Sequence, residues 1–188
     1  MKRIAVLASG GGRSFLNLIQ CQQRGELPCE IVLLIASAPG IGAIEHAQAN
    51  GIPFQVLKPD QITAALDAAH IDLAVLAGYL KRWPIPAHWE RRAINIHPAL
   101  LPAYGGKGFY GHYVHEAVLA AGDKTSGCTV HWVAAEYDSG SILAQRSVPV
   151  FPDDTADTLA ARVFAAELLL LPEVITHISQ SPPAPQCR

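Results

Sequence analysis

Short apolar runs at residues 4–8, 30–36, 54–57, 73–77 and 93–96 alternate with longer amphipathic stretches at 14–24, 42–50 and 61–69. Runs this short and this continuously apolar suit strands buried on both faces, and the longer stretches have the length and period of helices. Gly51 and the return of apolar sequence after residue 69 would end two of those helices. A repeated strand-helix order leaves little topological choice, because parallel strands need crossover connections and such crossovers are right-handed. The expected fold class is α/β: a Rossmann-like, mostly parallel sheet flanked by helices.

The rhythm changes after His97. A loop over 98–111 precedes a helix expected over 112–121, and the stretches 127–133 and 142–150 flank the turn Asp138-Ser139-Gly140 as an antiparallel pair. The C-terminal portion of the sheet should therefore be antiparallel. Asp153-Asp154-Thr155 offers N-cap candidates for a last helix from Ala156 to about Leu171, and a Ser/Pro/Gln-rich tail from residue 179 is expected to be flexible. With 188 residues, half of them apolar, the chain suits one domain over 1–178 better than two. No internal repeat is visible.

A net charge of -2 provides no basic field, so neither nucleic acid nor an anionic membrane is an expected partner. Small-molecule substrates are, with the chain a monomer or homodimer. Cys21, Cys29, Cys128 and Cys187 are scattered without a C-x-x-C pair, as befits thiols in a reducing compartment rather than a disulfide framework. The apolar stretch after Lys2-Arg3 is about half a signal-peptide core in length and reads as a first strand, and no run reaches the roughly 20 apolar residues of a membrane span. A cytoplasmic location is expected.

Asn95 and His97 lie two apart in Ile94-Asn95-Ile96-His97-Pro98, so on an extended strand they project from one face. Pro98 and Pro102 remove backbone donors, which takes the chain out of the sheet directly after His97. The pair then stands at the carboxyl end of a strand, the edge where open α/β sheets bind ligands. Alone, such residues also serve as turn formers or satisfied core groups. With Asp138 they make an amide, an imidazole and a carboxylate, a minimal set for moving an acyl group onto an amine.

Ser9-Gly10-Gly11-Gly12-Arg13-Ser14 joins the first strand to the first helix, where free helix N–H groups and the dipole attract an anion. It is neither the dinucleotide fingerprint, whose third glycine position is Phe15, nor a P-loop. One phosphate held by the amides of Gly11, Gly12 and Arg13, assisted by the Arg13 side chain or the Ser14 hydroxyl, fits the pattern. A tight turn that needs positive φ fits it too. His112-x-x-His115 and His131 lack the companions of a zinc site, so no metal is expected, and His131 reads as a strand residue that packs or hydrogen-bonds without affecting activity. No G-x-S-x-G elbow or activated cysteine offers a nucleophile.

Three segments together carry a family resemblance: Leu76-Ala77-Gly78-Tyr79-Leu80, Ile94 through Pro102, and Gly127-Cys128-Thr129-Val130-His131 leading to Asp138-Ser139-Gly140. From about Lys2 to Ile175 the chain resembles the phosphoribosylglycinamide formyltransferases, purine-synthesis enzymes that use 10-formyltetrahydrofolate. The resemblance implies Asn95, His97 and Asp138 as the catalytic trio and Glu167 as a contact to the glycinamide end of the substrate; by spacing alone, Glu167 is equally a solvated helical residue. It implies that Leu80, Lys81 and Arg82 line the folate pocket, largely through backbone groups. The chain departs from the family's usual pattern at Gly11 and Arg13, where Asn and a small polar residue are customary. It also carries a glycine-rich variant at 104–111, whose Gly105, Gly106, Lys107 and Gly108 suggest a mobile loop over the site. Lys107 is placed to reach a phosphate or the folate tail, or only to solubilise a turn.

The implied chemistry is direct attack of a primary amine on the formyl carbon through a tetrahedral intermediate. Asn95 would serve the oxyanion, and His97, titrating near neutrality, would stabilise it or protonate the leaving nitrogen. Asp138 would orient His97, favour its charged form and relay a proton from the attacking amine, directly or through water. Within the same chemistry the alternatives are another folate-dependent N-formyltransferase, acting on an amino-sugar nucleotide, and a formyltetrahydrofolate hydrolase. A non-catalytic nucleotide-binding α/β module is the alternative from another class, and it would leave the trio without a purpose.

Overall fold

Strand β1 (Lys2–Ala8) divides its side chains by alternation between two cores. Ile4, Val6 and Ala8 join a cluster with Phe15, Ala43, Val163 and Ile175 on one side of the sheet. Ala5 and Leu7 join Ile62, Leu66, Trp83 and Trp89 on the other. A strand apolar on both faces is therefore the centre of a three-layer arrangement. In this computed structural model, which describes residues 1–180, the chain runs through β1, α1 (Arg13–Gln23), β2 (Cys29–Ala36), α2 (Gly42–Ala49), β3 (Phe54–Val56), α3 (Ile62–Ala68), β4 (Leu73–Ala77) and β5 (Ala93–His97). It continues through α4 (His112–Ala121), β6 (Thr125–Trp132), β7 (Ile142–Pro149) and α5 (Ala156–Gln180).

The seven strands lie in the order β3-β2-β1-β4-β5-β6-β7. The first five are parallel, and β6 and β7 are added antiparallel at one edge, as the two halves of the sequence require. Between β1 and β4 the winding reverses direction, and outside the carboxyl ends of those two strands a crevice opens. The turn after β1 and the turn after β4 are tied there: the Ser9 amide donates to the Gly78 carbonyl at 3.1 Å, and the Leu80 amide to the Ser9 hydroxyl at 3.0 Å.

The expected elements are all present with shifted ends, and the largest shift is in α5. This helix passes the expected stop near Leu171 and the Pro172 ring, and runs to Gln180. A proline inside a helix costs a hydrogen bond and some distortion. Here the next turn buries Val174 and Ile175, and Lys2 donates its ammonium to the Ile178 carbonyl at 2.7 Å, so tertiary contact carries the helix onward. Ser179 and Gln180, read as the start of a tail, are helical. Residues 181–188, with Cys187 and the rest of that expected tail, lie outside the described residues. Cys21, Cys29 and Cys128 are buried free thiols. No described helix is long and apolar enough to cross a membrane.

Gly127 shows how closely β7 is laid on β6, since a Cβ there would run into the Arg146 carbonyl and come within 2.8 Å of Leu100 Cδ2. Gly127→Ala is expected to lower stability by about 1–3 kcal/mol through overpacking. Urea unfolding checks this, and an unchanged midpoint would show that the β6–β7 pair can open at no cost.

Candidate active site

Asn95 and His97 do share a face at the end of β5, and the antiparallel register sets what stands beside them. Asn95 is opposite His131, and His97 is opposite Thr129. Directly opposed residues point the same way, so His131 arrives next to Asn95. The 133–141 connection then brings Asp138 back over the strand end, with a left-handed φ of 53°. One carboxylate thus meets two imidazoles and an amide. Asp138 Oδ2 is 3.6 Å from His97 Nδ1, and its Oδ1 is 3.4 Å from both His131 Nε2 and Asn95 Nδ2. The Gly106 amide donates to Oδ2 at 2.9 Å.

Backbone carbonyls assign the ring protons, because a carbonyl only accepts. His97 donates from Nε2 to the Tyr104 carbonyl at 2.7 Å, which leaves a lone pair on Nδ1 in the neutral ring. His131 donates from Nδ1 to the Trp132 carbonyl at 2.9 Å, so its Nε2 accepts from the Asn95 amide at 3.1 Å. Sequence reasoning gave His131 a packing role. It does hydrogen-bond within a strand, but as a member of this cluster, and only the β5–β6 register reveals that.

Charge and burial oppose each other here. Burial depresses the His97 pKa more than the nearby Asp138 carboxylate and the Tyr104 hydrogen bond raise it, so it lies below the ordinary 6.5. Asp138 does favour the charged ring, but desolvation outweighs it, so the site favours the neutral form of His97. Burial pushes Asp138 up, yet the His131 ring, the His97 charge and the Gly106 amide together hold it below the carboxylate norm.

The cluster opens into a cavity of about 880 Å³ with the glycine loop at one end, and the turn after β4 also contributes to its wall. Gly11, Gly12, Arg13 and Ser14 line the glycine-loop end. Gly12 starts α1 with φ 73°, and a Cβ there would lie 2.7 Å from the Ala43 backbone, so the tight turn is real and its helix terminus faces the cavity as well. The Arg13 guanidinium lies 3.9 Å over the Phe164 ring, which fixes its direction. Glu167 lines the same end and is only partly exposed, not a solvated helical residue. Burial pushes its carboxyl up to about 7 against the pull of Arg13.

Leu80, Lys81 and Arg82 also line the cavity. Lys81 gives its ammonium to the Ser37 carbonyl, and Arg82 reaches the Ala135 carbonyl and Glu136, each at 2.9 Å. Both charged side chains are thus engaged within the protein, while the Leu80 side chain is exposed. Gly106, Lys107 and Gly108 form part of the wall, whereas Gly105 packs beneath it, where a Cβ would meet Leu101. Of the histidines weighed as metal ligands, His112 pairs with Glu116 and Asp157 at 3.6 Å each, and His115 is buried. Among the described residues, no group of three or more His, Cys, Asp or Glu side chains is arranged to hold a metal ion.

An α/β sheet with a crevice at its switch point, a glycine turn at a helix N-terminus and an amide-imidazole-carboxylate cluster on one cavity wall fits a group-transfer class of protein. The comparisons make it specific. The formyl transferase family model matches residues 2–175, and the chain belongs to that family. A chloroplastic phosphoribosylglycinamide formyltransferase of Vigna unguiculata is 42% identical over 95% of this chain, which spans 61% of that protein's length. A glycinamide ribonucleotide transformylase from Symbiobacterium toebii superposes with a TM-score of 0.88 at 31% identity, covering 95% of this chain and 88% of that one. A phosphoribosylglycinamide formyltransferase from Bacillus halodurans does so with a TM-score of 0.86 at 34% identity, covering 96% of each. The resemblance drawn from the sequence motifs and the expected fold class both hold.

A carboxyl raised from 4.5 to about 7 on folding favours the folded state fully only below its unfolded value, and that advantage is lost as the pH rises through 7. Glu167→Gln is therefore expected to gain stability relative to the unaltered chain between pH 5 and pH 8, by roughly 1–3 kcal/mol. Thermal unfolding across that range checks it. Parallel curves for the two proteins would mean that Glu167 is solvated after all.

Proposed function

We propose that the chain transfers the formyl group of 10-formyltetrahydrofolate to the primary amine of glycinamide ribonucleotide, as a single formyltransferase domain. The observation that carries this reading is the convergence of Asn95, His97 and Asp138 on the wall of a cavity also lined by a helix N-terminus with an arginine. The names of the similar proteins support the choice of acceptor. The phosphate end of the amine substrate sits at Gly11, Gly12, Arg13 and Ser14, with Glu167 nearer its reactive end. The formyl donor takes the wall from Leu80 to Arg82 and the 133–138 segment.

The residues then divide the work. Neutral His97, with its Nε2 proton committed to Tyr104, presents the Nδ1 lone pair and takes the proton of the attacking amine. The imidazolium so formed is stabilised by Asp138 and becomes a donor to the oxyanion or to the departing nitrogen. Asn95 holds Asp138 through its longer, 3.4 Å hydrogen bond, and this is the one it gives up to reach the oxyanion. A donor so placed lowers the barrier by about 3 kcal/mol. No covalent enzyme intermediate is needed.

In a formyl-transfer assay with 10-formyltetrahydrofolate, glycinamide ribonucleotide is expected to outpace water and amino-sugar nucleotides as acceptor. Transfer no faster than hydrolysis would sink the proposal. His97→Ala should lower turnover by orders of magnitude, roughly 10²–10⁴-fold, with folding intact. Nothing lies within 4 Å of a Cβ built on Gly11, so Gly11→Val is expected to keep the fold, which its thermal unfolding checks. It should raise KM for the ribonucleotide and spare KM for the folate; equal values for Val and Gly would remove the phosphate from this loop.

A further inference from the structure

Tyr104 is an aromatic residue in the left-handed region, with φ 55°, a conformation unfavourable for a side chain of this kind that persists only where its surroundings hold it. It lies outside the cavity wall, but its backbone touches the chemistry directly: its carbonyl accepts the Nε2 proton of His97 at 2.7 Å. Two residues on, the Gly106 amide donates to Asp138 at 2.9 Å. The segment 104–106 therefore grips both members of the His97–Asp138 pair from one side. The side chain of Tyr104, packed against the main core, helps hold the segment. Its hydroxyl donates to Asp123 Oδ2 at 2.6 Å, just beyond the C-terminus of α4, and its ring meets Phe109 edge-on at 6.1 Å between centroids.

We propose that Tyr104, anchored through its hydroxyl to Asp123, is a positioning residue that sets the tautomer of His97. The tautomer of a histidine follows from the hydrogen bond made by its other nitrogen. With the Tyr104 carbonyl in place, the proton is on Nε2 and Nδ1 is free to accept. If the tether is cut, Tyr104 relaxes toward the extended region and its carbonyl turns away. The proton then moves to Nδ1, drawn by Asp138 at 3.6 Å, and the base is blocked. Asp123 and the Tyr104 hydroxyl touch neither end of the cavity, so substrate binding is left alone. The inference rests on His97 acting as the base in the proposed reaction.

Tyr104→Phe and Asp123→Ala test it, with Asp123→Asn as the conservative replacement that keeps an acceptor for the hydroxyl. Imidazole nitrogen shifts of His97 in labelled protein should show the Nε2–H form in the unaltered chain and in Asp123→Asn. Tyr104→Phe and Asp123→Ala should show a mixture of both tautomers. The same two variants should lose roughly 10–100-fold in kcat, as small misplacements of reacting groups do, with KM for either substrate within about twofold. The double variant should lose no more than either single one. An unchanged tautomer in both variants, a loss expressed in KM rather than kcat, or losses that multiply would each overturn the proposal. Absence of formyl transfer by the unaltered chain would refute the activity instead, and leave the tautomer measurement standing.

Discussion

Where β6 runs antiparallel beside β5, Asn95 faces His131 and His97 faces Thr129, and the rest of the site is built on that pairing. The Thr129 hydroxyl donates to the Ala99 carbonyl at 2.6 Å and accepts from the Leu101 amide at 3.0 Å, which fixes the path of the chain as it leaves the strand. That path sets where Tyr104 and Gly106 lie. The connection from β6 to β7 returns Asp138 to the same point. A register shift of one residue would turn Asn95 and His97 to the opposite face, and no loop adjustment would recover the cluster.

The cluster itself is a balance between burial and pairing. Asp138 is the only carboxylate that the site sets between the two rings, and it has accepted hydrogen bonds from a backbone amide and a side-chain amide in compensation for its lost water. His97 is buried deeply enough that its neutral form prevails despite that neighbour. A base that is neutral when the amine arrives and charged when the oxyanion forms draws the larger share of its stabilisation late in the reaction, which is where catalysis gains from it. At the far end of the cavity, Glu167 shows the same competition between burial and a nearby cation, with Arg13 braced on Phe164.

Most of the architecture was legible because it follows from local rules. Apolar runs of four to seven residues alternating with amphipathic stretches admit few folds, and the glycines and prolines at 10–12, 51, 98 and 102 mark where elements stop. The end of α5 was misplaced because Pro172 is a strong local signal against continuation, overruled by the burial of Val174 and Ile175. In the site, Asn95 and His97 were readable from spacing alone, and Asp138 from its turn and the family motifs. His131 was not, since its part depends on a cross-strand neighbour 36 residues away. The depressed pKa of His97 was not either, because burial has no signature at a single position.

The sequence by itself determined the class of fold, the change from parallel to antiparallel strands after His97, and the residue types brought to the strand ends. These follow from the periods of helix and strand and from the backbone restrictions of glycine and proline, which act over a few residues. Only the tertiary structure decided which nitrogen of His97 carries the proton, that Asp138 is shared between two imidazoles, and that Glu167 is partly buried. Those depend on distances between segments far apart in the chain and on how much water packing removes, and both are settled only when the sheet has closed its register and the loops have been laid across its edge.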